Sequence, residues 1–313
     1  MTAVTIERVE TIALRIPYDH WAPKPAFGGI ERTTLDCLLV RVTASNGLVG
    51  WGEAFWGGWQ ATQAALEQWI APLALGQNIS DVAMTARNEE DLRKTAAVIE
   101  NDTGRRVLPL AGDMSVPGDV TRTANAAIEA FGHLDILITC AGSSPGGLLE
   151  NLTEDEWAGS MSLKFLGYVW ACRAVLPHMR ERGSGSVVLV VGNDGLKPSY
   201  WEMTAGAANA ADINFASSLA EQYGPHGIRV NTVNPGPVNT DRWDGLEKAL
   251  ARDKKVSQER AHELTLRSLP FGRICEADEV ANLTAFLASP RASYITGAHI
   301  PIDGGQRKAL MDQ

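Results

Sequence analysis

The chain has 313 residues, 45% hydrophobic and 21% charged, with a formal net charge of −9. That length serves one large domain or two ordinary ones, and the acidic balance argues against a nucleic-acid partner, since phosphate binding needs a basic face. Cys37, Cys140, Cys172 and Cys275 lie far apart without a CxxC pair, so neither a zinc site nor a disulfide framework is expected. The start, MTAVTIERVE, is charged too early for a signal peptide and no apolar run approaches a membrane span, so the expectation is a cytoplasmic protein with no membrane partner.

The first 80 residues differ in style from the rest. They hold Trp21, Trp51, Trp56, Trp59 and Trp69, five of the nine tryptophans. VTIERVETIALRI alternates loosely, and TLDCLLVRVTA and LVGWGEAF flank Ser45-Asn46-Gly47. Asn-Gly between apolar runs signals a hairpin, because both residues tolerate positive φ. ATQAALEQWIAPLAL has helical spacing at Ala61, Ala65, Leu66, Trp69 and Ile70.

From about Asp81 strands alternate with helices. DVAMTAR, RRVLPLAGDM, DILITCAG, SVVLVVG, GIRVNTVNPG and HIPIDGG are strand candidates. Helical stretches such as NEEDLRKTAAVIEND and VTRTANAAIEAFGHL separate the first of them. Alternation of this kind predicts βαβ units and an α/β, doubly wound parallel sheet. In such sheets ligands lie beyond the carboxyl ends of the strands, where Asp113-Met114, Ala141-Gly142 and Pro235-Gly236 form short turns. Two domains are therefore expected, residues 1–80 as an α+β segment and 81–313 as the Rossmann-like domain.

NGLVGWGEAF, with IERVETIALRIPY before it and the Trp-rich helix after, resembles the amino-terminal capping domain of the mandelate racemase and muconate-lactonizing branch of the enolase superfamily. No β/α barrel follows, so no catalytic or metal residue carries over, and Glu53 reads as a strand-end carboxylate.

Residues 82–305 resemble the short-chain dehydrogenase/reductase family, through DILITCAG, RAVLPHM, GIRVNTVNPGPVNTD and FGRICEADEVANLTAFLASPRASYITGAHIPIDGG. The resemblance implies an NAD(P)-dependent oxidoreductase acting on a small molecule. It implies that Asp113 and Met114 contact adenine, that Ala141, Gly142, Pro235 and Gly236 approach the nicotinamide end, and that Thr240 bonds the carboxamide or a phosphate. Where NAD-selective relatives place an acid, this chain has Ala86 followed by Arg87. A cation there suits the 2′-phosphate of NADP, though a solvated arginine opening a helix reads equally simply. The family also implies a homo-oligomer, with the small residues Ala205–Ala208 allowing close helix approach.

Two departures stand out. The family opens with a strand, a TGxxxGxG turn and a helix directly before DVAMTAR, and here the enolase-like segment takes that place. Gly47, Gly50 and Gly52 make a poor substitute: Arg87 lies 37 residues beyond Gly50, and Arg41 does not suit a central parallel strand. Loss of a central strand leaves unpaired ladder groups at about 1–3 kcal/mol each. Either a segment of residues 1–80 fills the slot, or the halves of the sheet separate, or the chain is a fusion that folds poorly.

The second departure is chemical. The family's Ser, Tyr and Lys positions fall on Gly192, Ala205 and Asn209, with the first two in the usual register, thirteen residues apart. The family's helix Asn falls on Lys164 in KFLG, so Asn and Lys look transposed. The transposition predicts that Lys164 and Asn209 hydrogen-bond or share a water; simple drift after loss of catalysis is the alternative. Tyr200 is the candidate proton donor, with Thr204, Asn193 and Asp194 as alternatives, and the charged stretch 242–269 is the expected substrate lid. Two readings stay open: a divergent oxidoreductase using Lys164, Asn209 and Tyr200, or a catalytically silent binding or scaffold relative or fusion remnant.

Overall fold

The computed structural model describes residues 6–17, 34–44, 49–54, 81–103 and 105–311. The chain divides into two compact units, residues 1–82 with 93–108, and residues 83–92 with 109–313.

In the first unit, β1 (Ile6–Pro17), β2 (Thr34–Ala44) and β3 (Val49–Ala54) form an antiparallel sheet in that order. Thr43 pairs with Val49 and Leu38 with Ala54, which is the hairpin pairing that Asn46-Gly47 predicts. The tip itself and the helix expected around residues 61–75 lie outside the described residues. Gly50 and Gly52 sit inside β3, opposite Val42 and Val40. They are therefore strand residues and not a phosphate turn.

The second unit carries most of the α/β domain. The strands from residue 82 onward form two sheet pieces: β4 (Val82–Ala86) with β5 (Val107–Ala111), and β6 (Ile136–Thr139), β7 (Gly185–Val190), β8 (Ile228–Pro235) and β9 (His299–Ile302) in sequential order. β6 to β9 pair in parallel throughout. The strand that would join β4 to β6 is missing among the described residues, and the strands of residues 6–54 pair only with one another. Among the described residues, the strands from 82 onward lie in two hydrogen-bonded pieces. Ile136 and Ile138 on the end strand β6 are 38% and 48% exposed, as unsheathed edge residues are.

β7 and β8 read as continuous apolar runs because both faces are covered. Val187 and Leu189 pack with Cys172, Val175, Leu176 and Met179 of α4 (Gly167–Arg182) and with Ala216 and Leu219 of α5 (Met203–Tyr223). Val188, with opposite parity, packs with Leu287 and Ala288 of α8 (Ala277–Ala288). Each fully buried Val or Leu contributes roughly 1.5–3 kcal/mol, so this three-layer core fixes the strand ends on which the site is built. The remaining helices are α1 (Glu89–Thr103), α2 (Pro117–Phe131), α3 (Glu154–Ser160), α6 (Asp241–Lys254), α7 (Gln258–Ser268) and α9 (Lys308–Met311). The expected lid is thus the pair α6 and α7. None of the described helices is long and apolar enough to cross a membrane.

A candidate active site around Lys164

Lys164 is brought inward by a change of helical pitch. Thr153 opens α3 with a capping box, its hydroxyl accepting from the Glu156 amide at 3.3 Å while its own amide donates to Glu156 Oε2 at 2.8 Å. From Met161 to Leu166 the helix widens into a π segment, a distortion common at functional sites. Lys164 lies in that segment and is only 7% exposed. Its stem runs past Gly142, where a Cβ would sit 3.6 Å from the Lys164 Cγ and Cε. Gly167, which follows the segment, lies under the Met114 carbonyl, and a Cβ there would come within 2.6 Å of that oxygen. Ser162 Oγ donates to the Ser115 carbonyl at 3.3 Å and strengthens the same junction.

The opposite wall is the turn after β7 and the first half of α5. Asn193 donates to Asp303 Oδ2 at 3.1 Å and to Gln306 Oε1 at 2.7 Å, and Lys197 reaches Asp303 at 2.5 Å, so the carboxyl-terminal segment pins the turn. Asn209 Nδ2 donates to Asp194 Oδ1 at 3.0 Å. A Cβ on Gly192 would overlap Asp194 Oδ1 and fall 2.6 Å from Asn209 Nδ2. Ala205 is buried and offers no polar group. Thr204 Oγ1 donates to the Pro145 carbonyl at 2.8 Å, tying α5 to the loop after β6, and Ser160 Oγ to the Thr204 carbonyl at 3.2 Å, tying α5 to the end of α3.

The expected bond between Lys164 and Asn209 is not formed. Asn209 Nδ2 donates to Asp194, and Asn209 Oδ1, the atom that could accept from the Lys164 ammonium, has no partner among the described residues. Asp194 and Asp212 act on Lys164 as neighbouring charges. Burial pushes the Lys164 ammonium below its ordinary pKa; Asp194, Asp212 and Glu202 oppose this, while Arg242 adds to it. Burial raises Asp212 to about 8, with Lys164 pulling it back. Tyr168 is buried, donates to the Val190 carbonyl at 2.9 Å and is pushed well above its ordinary pKa by burial, so it stays protonated near neutral pH with that proton spent on the backbone. Burial also raises the Cys140 thiol, with Lys164 and Arg242 opposing.

Tyr200 stands apart from these groups. It is 46% exposed and accepts a hydrogen bond from Lys254 Nζ at 3.3 Å, so it faces the end of α6. The next residue, Trp201, is buried and donates to Asp253 at 2.8 Å, which fixes that orientation.

A cleft of about 530 Å³ is lined by Arg87, Asp113, Ser115, Ser143, Ser160 and Leu163 among others, and Lys164, the residue after Leu163, is not part of its lining. Asp113 Oδ1 accepts from the Ser115 amide at 2.8 Å and from Ser115 Oγ at 2.6 Å. These bonds, with a smaller contribution from Arg87, hold its carboxyl below the ordinary range. Ala141 and Gly142 are half-buried at the end of β6. Pro235, Gly236 and Thr240 do not line this cleft. Gly236 packs on Asp303, where a Cβ would meet the Asp303 Cβ at 3.0 Å, and Thr240 is exposed, donating to the Val238 carbonyl at 3.3 Å. No cluster of metal-ligating side chains occurs among the described residues.

Sequence reasoning missed Asp212 and Arg242. Asp212 left one signal: an acid three residues after Asn209, on the same face of an alanine-rich helix.

Residues 70–307 match the family model described as enoyl-(acyl carrier protein) reductase. The short-chain reductase protein NovJ of Streptomyces niveus is 33% identical over 72% of this chain and 84% of its own length. The NADPH-dependent reductase BacG of Bacillus subtilis is 30% identical over 76% of this chain and 92% of its own. Among solved structures, L-sorbose reductase from Gluconobacter frateurii, complexed with NADPH and L-sorbose, aligns with a TM-score of 0.66 at 28% identity, covering 72% of this chain and 86% of that one.

Proposed function

The chain belongs to the short-chain dehydrogenase/reductase family over residues 70–307, and from that premise we propose that it is a divergent NADP-class reductase of a small carbonyl compound, with Lys164 as its proton donor. Members of this family are NAD(P)-dependent reductases, and the bound dinucleotide would supply hydride to the carbonyl carbon. The observation that carries the reading is the continuity of one cleft from Arg87 and Asp113 to Ser160 and Leu163, the residue that precedes the buried Lys164 in the chain. The exposed Arg87 guanidinium suits a 2′-phosphate, and the half-buried Asp113 suits an adenine amino group. The cleft therefore fits the adenosine end of such a group.

In this proposal Gly192, Ala205 and Asn209 stand where the family's Ser, Tyr and Lys stand. Lys164 then takes over the proton role. Its burial next to Arg242 lowers the proton affinity of the ammonium toward the range useful for general acid catalysis. The same ammonium would stabilise charge developing on a carbonyl oxygen. Tyr200 is left out of the chemistry because it faces Lys254.

A second reading, binding without turnover, has one observation in its favour. The Asp194–Asn209 bond fills the space before Gly192, so the orienting hydroxyl of the family has no room there.

We also read residues 1–80 as a separate segment like an enolase-superfamily capping domain, supported by the NGLVGWGEAF motif and the antiparallel pairing of β2 with β3. Self-association belongs to the proposal too and is checked by light scattering, although Ala205 and Ala208 are buried within the protomer.

The test is a titration of monodisperse protein with NADPH and NADH, following nucleotide fluorescence, with turnover of carbonyl substrates measured afterwards. Saturable NADPH binding that Arg87→Ala weakens about tenfold, or ~1.4 kcal/mol, supports the reading. Absence of binding at millimolar NADPH sinks it, and binding with no turnover across a carbonyl panel favours the second reading.

A further inference from the structure

Four buried oxygens beside Lys164 have no hydrogen-bond partner among the described residues: Asp194 Oδ2, Asn209 Oδ1 and both carboxyl oxygens of Asp212. The two acids differ. Asp194 has one oxygen held by the Asn209 amide. Asp212 is fully buried and receives no donor from the described residues at either oxygen. A carboxylate so placed costs several kcal/mol, and the group avoids that cost by keeping its proton. Asp212 and Lys164 nonetheless lie close enough to act on each other's charge.

We propose that Asp212 is the proton reservoir of Lys164, the two forming one coupled dyad with a bridging water anchored on the unpaired oxygens. The proposal rests on the reductase reading. As hydride adds to the carbonyl carbon, an N–H bond of the Lys164 ammonium breaks and an O–H bond forms on the substrate oxygen. The neutral amine takes the carboxyl proton of Asp212 through the water, leaving an ammonium and a carboxylate. Solvent then returns one proton to Asp212 and the cycle closes. Buried waters ordinarily bridge about three such unsatisfied groups.

Other charges face the dyad. On Lys164 they are Asp194, Glu202, Arg242 and Cys140. On Asp212 they are Tyr168 and Cys172, both raised by burial and neutral at physiological pH. Burial raises Asp212 to about 8, and in a coupled pair both titration steps register at each member.

The experiment is an NMR titration of protein carrying 13C at the lysine ε-carbons, with the Lys164 signal assigned by Lys164→Met. In the unmodified sequence the Lys164 signal is expected to show two inflections, its own and that of Asp212. In Asp212→Asn the second inflection disappears, and Lys164 loses its proton about one pH unit earlier. A single inflection in the parent protein overturns the dyad, and so does an unchanged Lys164 titration in the variant. The parent titration decides the question even if the variant fails to fold. NADPH titration of the same samples separates the two claims. Coupling without nucleotide binding keeps the dyad and removes the reductase reading; nucleotide binding without coupling does the reverse. Where turnover is measurable, Asp212→Asn lowers kcat about tenfold at pH 8, with KM within twofold of the parent.

Discussion

Asn209 and Asp194 are joined by one hydrogen bond, Nδ2 to Oδ1 at 3.0 Å, and this bond occupies the space that a side chain at position 192 would need. The Asn209 amide is thus spent on Asp194, and Lys164 carries its charge near three acids, Asp194, Asp212 and Glu202.

Gly192→Ser is therefore expected to destabilise the protein by ~1–3 kcal/mol, the range for overpacking. The new Cβ would overlap Asp194 Oδ1 and lie 2.6 Å from Asn209 Nδ2, and the pair must separate to admit it. Urea denaturation checks this, and an unchanged midpoint would contradict the packing described. A hydroxyl at 192 is not expected to raise activity, because Ala205 still lacks a donor.

Gly167→Ala should cost a similar ~1–3 kcal/mol. Its Cβ would press within 2.6 Å of the Met114 carbonyl, a backbone atom that cannot swing aside. The displaced Asp113–Ser115 turn should also weaken NADPH binding, measured by the same fluorescence titration.

Asp212 makes stability pH-dependent, and the sign follows from its raised pKa. The group binds its proton more tightly folded than unfolded, at about 8 against 3.8. Its favourable contribution is complete below the unfolded value and is lost as pH rises toward the folded one. Melting temperature should fall between pH 5 and pH 8, and Asp212→Asn should flatten that fall. A parent and variant with parallel pH profiles would show that Asp212 carries no such penalty.

Lys164→Met should lower kcat by about 10²-fold or more, the ordinary contribution of a general acid, while leaving NADPH affinity within a few fold. Tyr200→Phe should change kcat less than twofold, since the hydroxyl meets Lys254 at 3.3 Å on the surface. Steady-state kinetics on both variants checks the pair of expectations, and a large loss in Tyr200→Phe would return the proton role to that residue.

Much of this follows from the order of the residues alone. Alternating strands and helices from about residue 81, the continuous apolar runs of β7 and β8, and the family motifs placed the sheet, the strand-end turns and Lys164 in KFLG. These signals are local: periodicity and turn chemistry depend on neighbours along the chain. The same local reading gave the expectation that Gly192, Ala205 and Asn209 stand at the family's Ser, Tyr and Lys positions. How these residues pack was set in three dimensions. Among the described residues, the grouping of β4 with β5 and of β6 to β9 depends on which strands find partners far along the chain. The inward turn of Lys164 depends on a π segment that shifts side-chain register by a fraction of a turn. The diversion of Asn209 to Asp194, and the burial of Asp212 without a donor, depend on packing between elements distant in sequence. Proton affinity follows burial and neighbouring charge, and neither is written in the order of the residues.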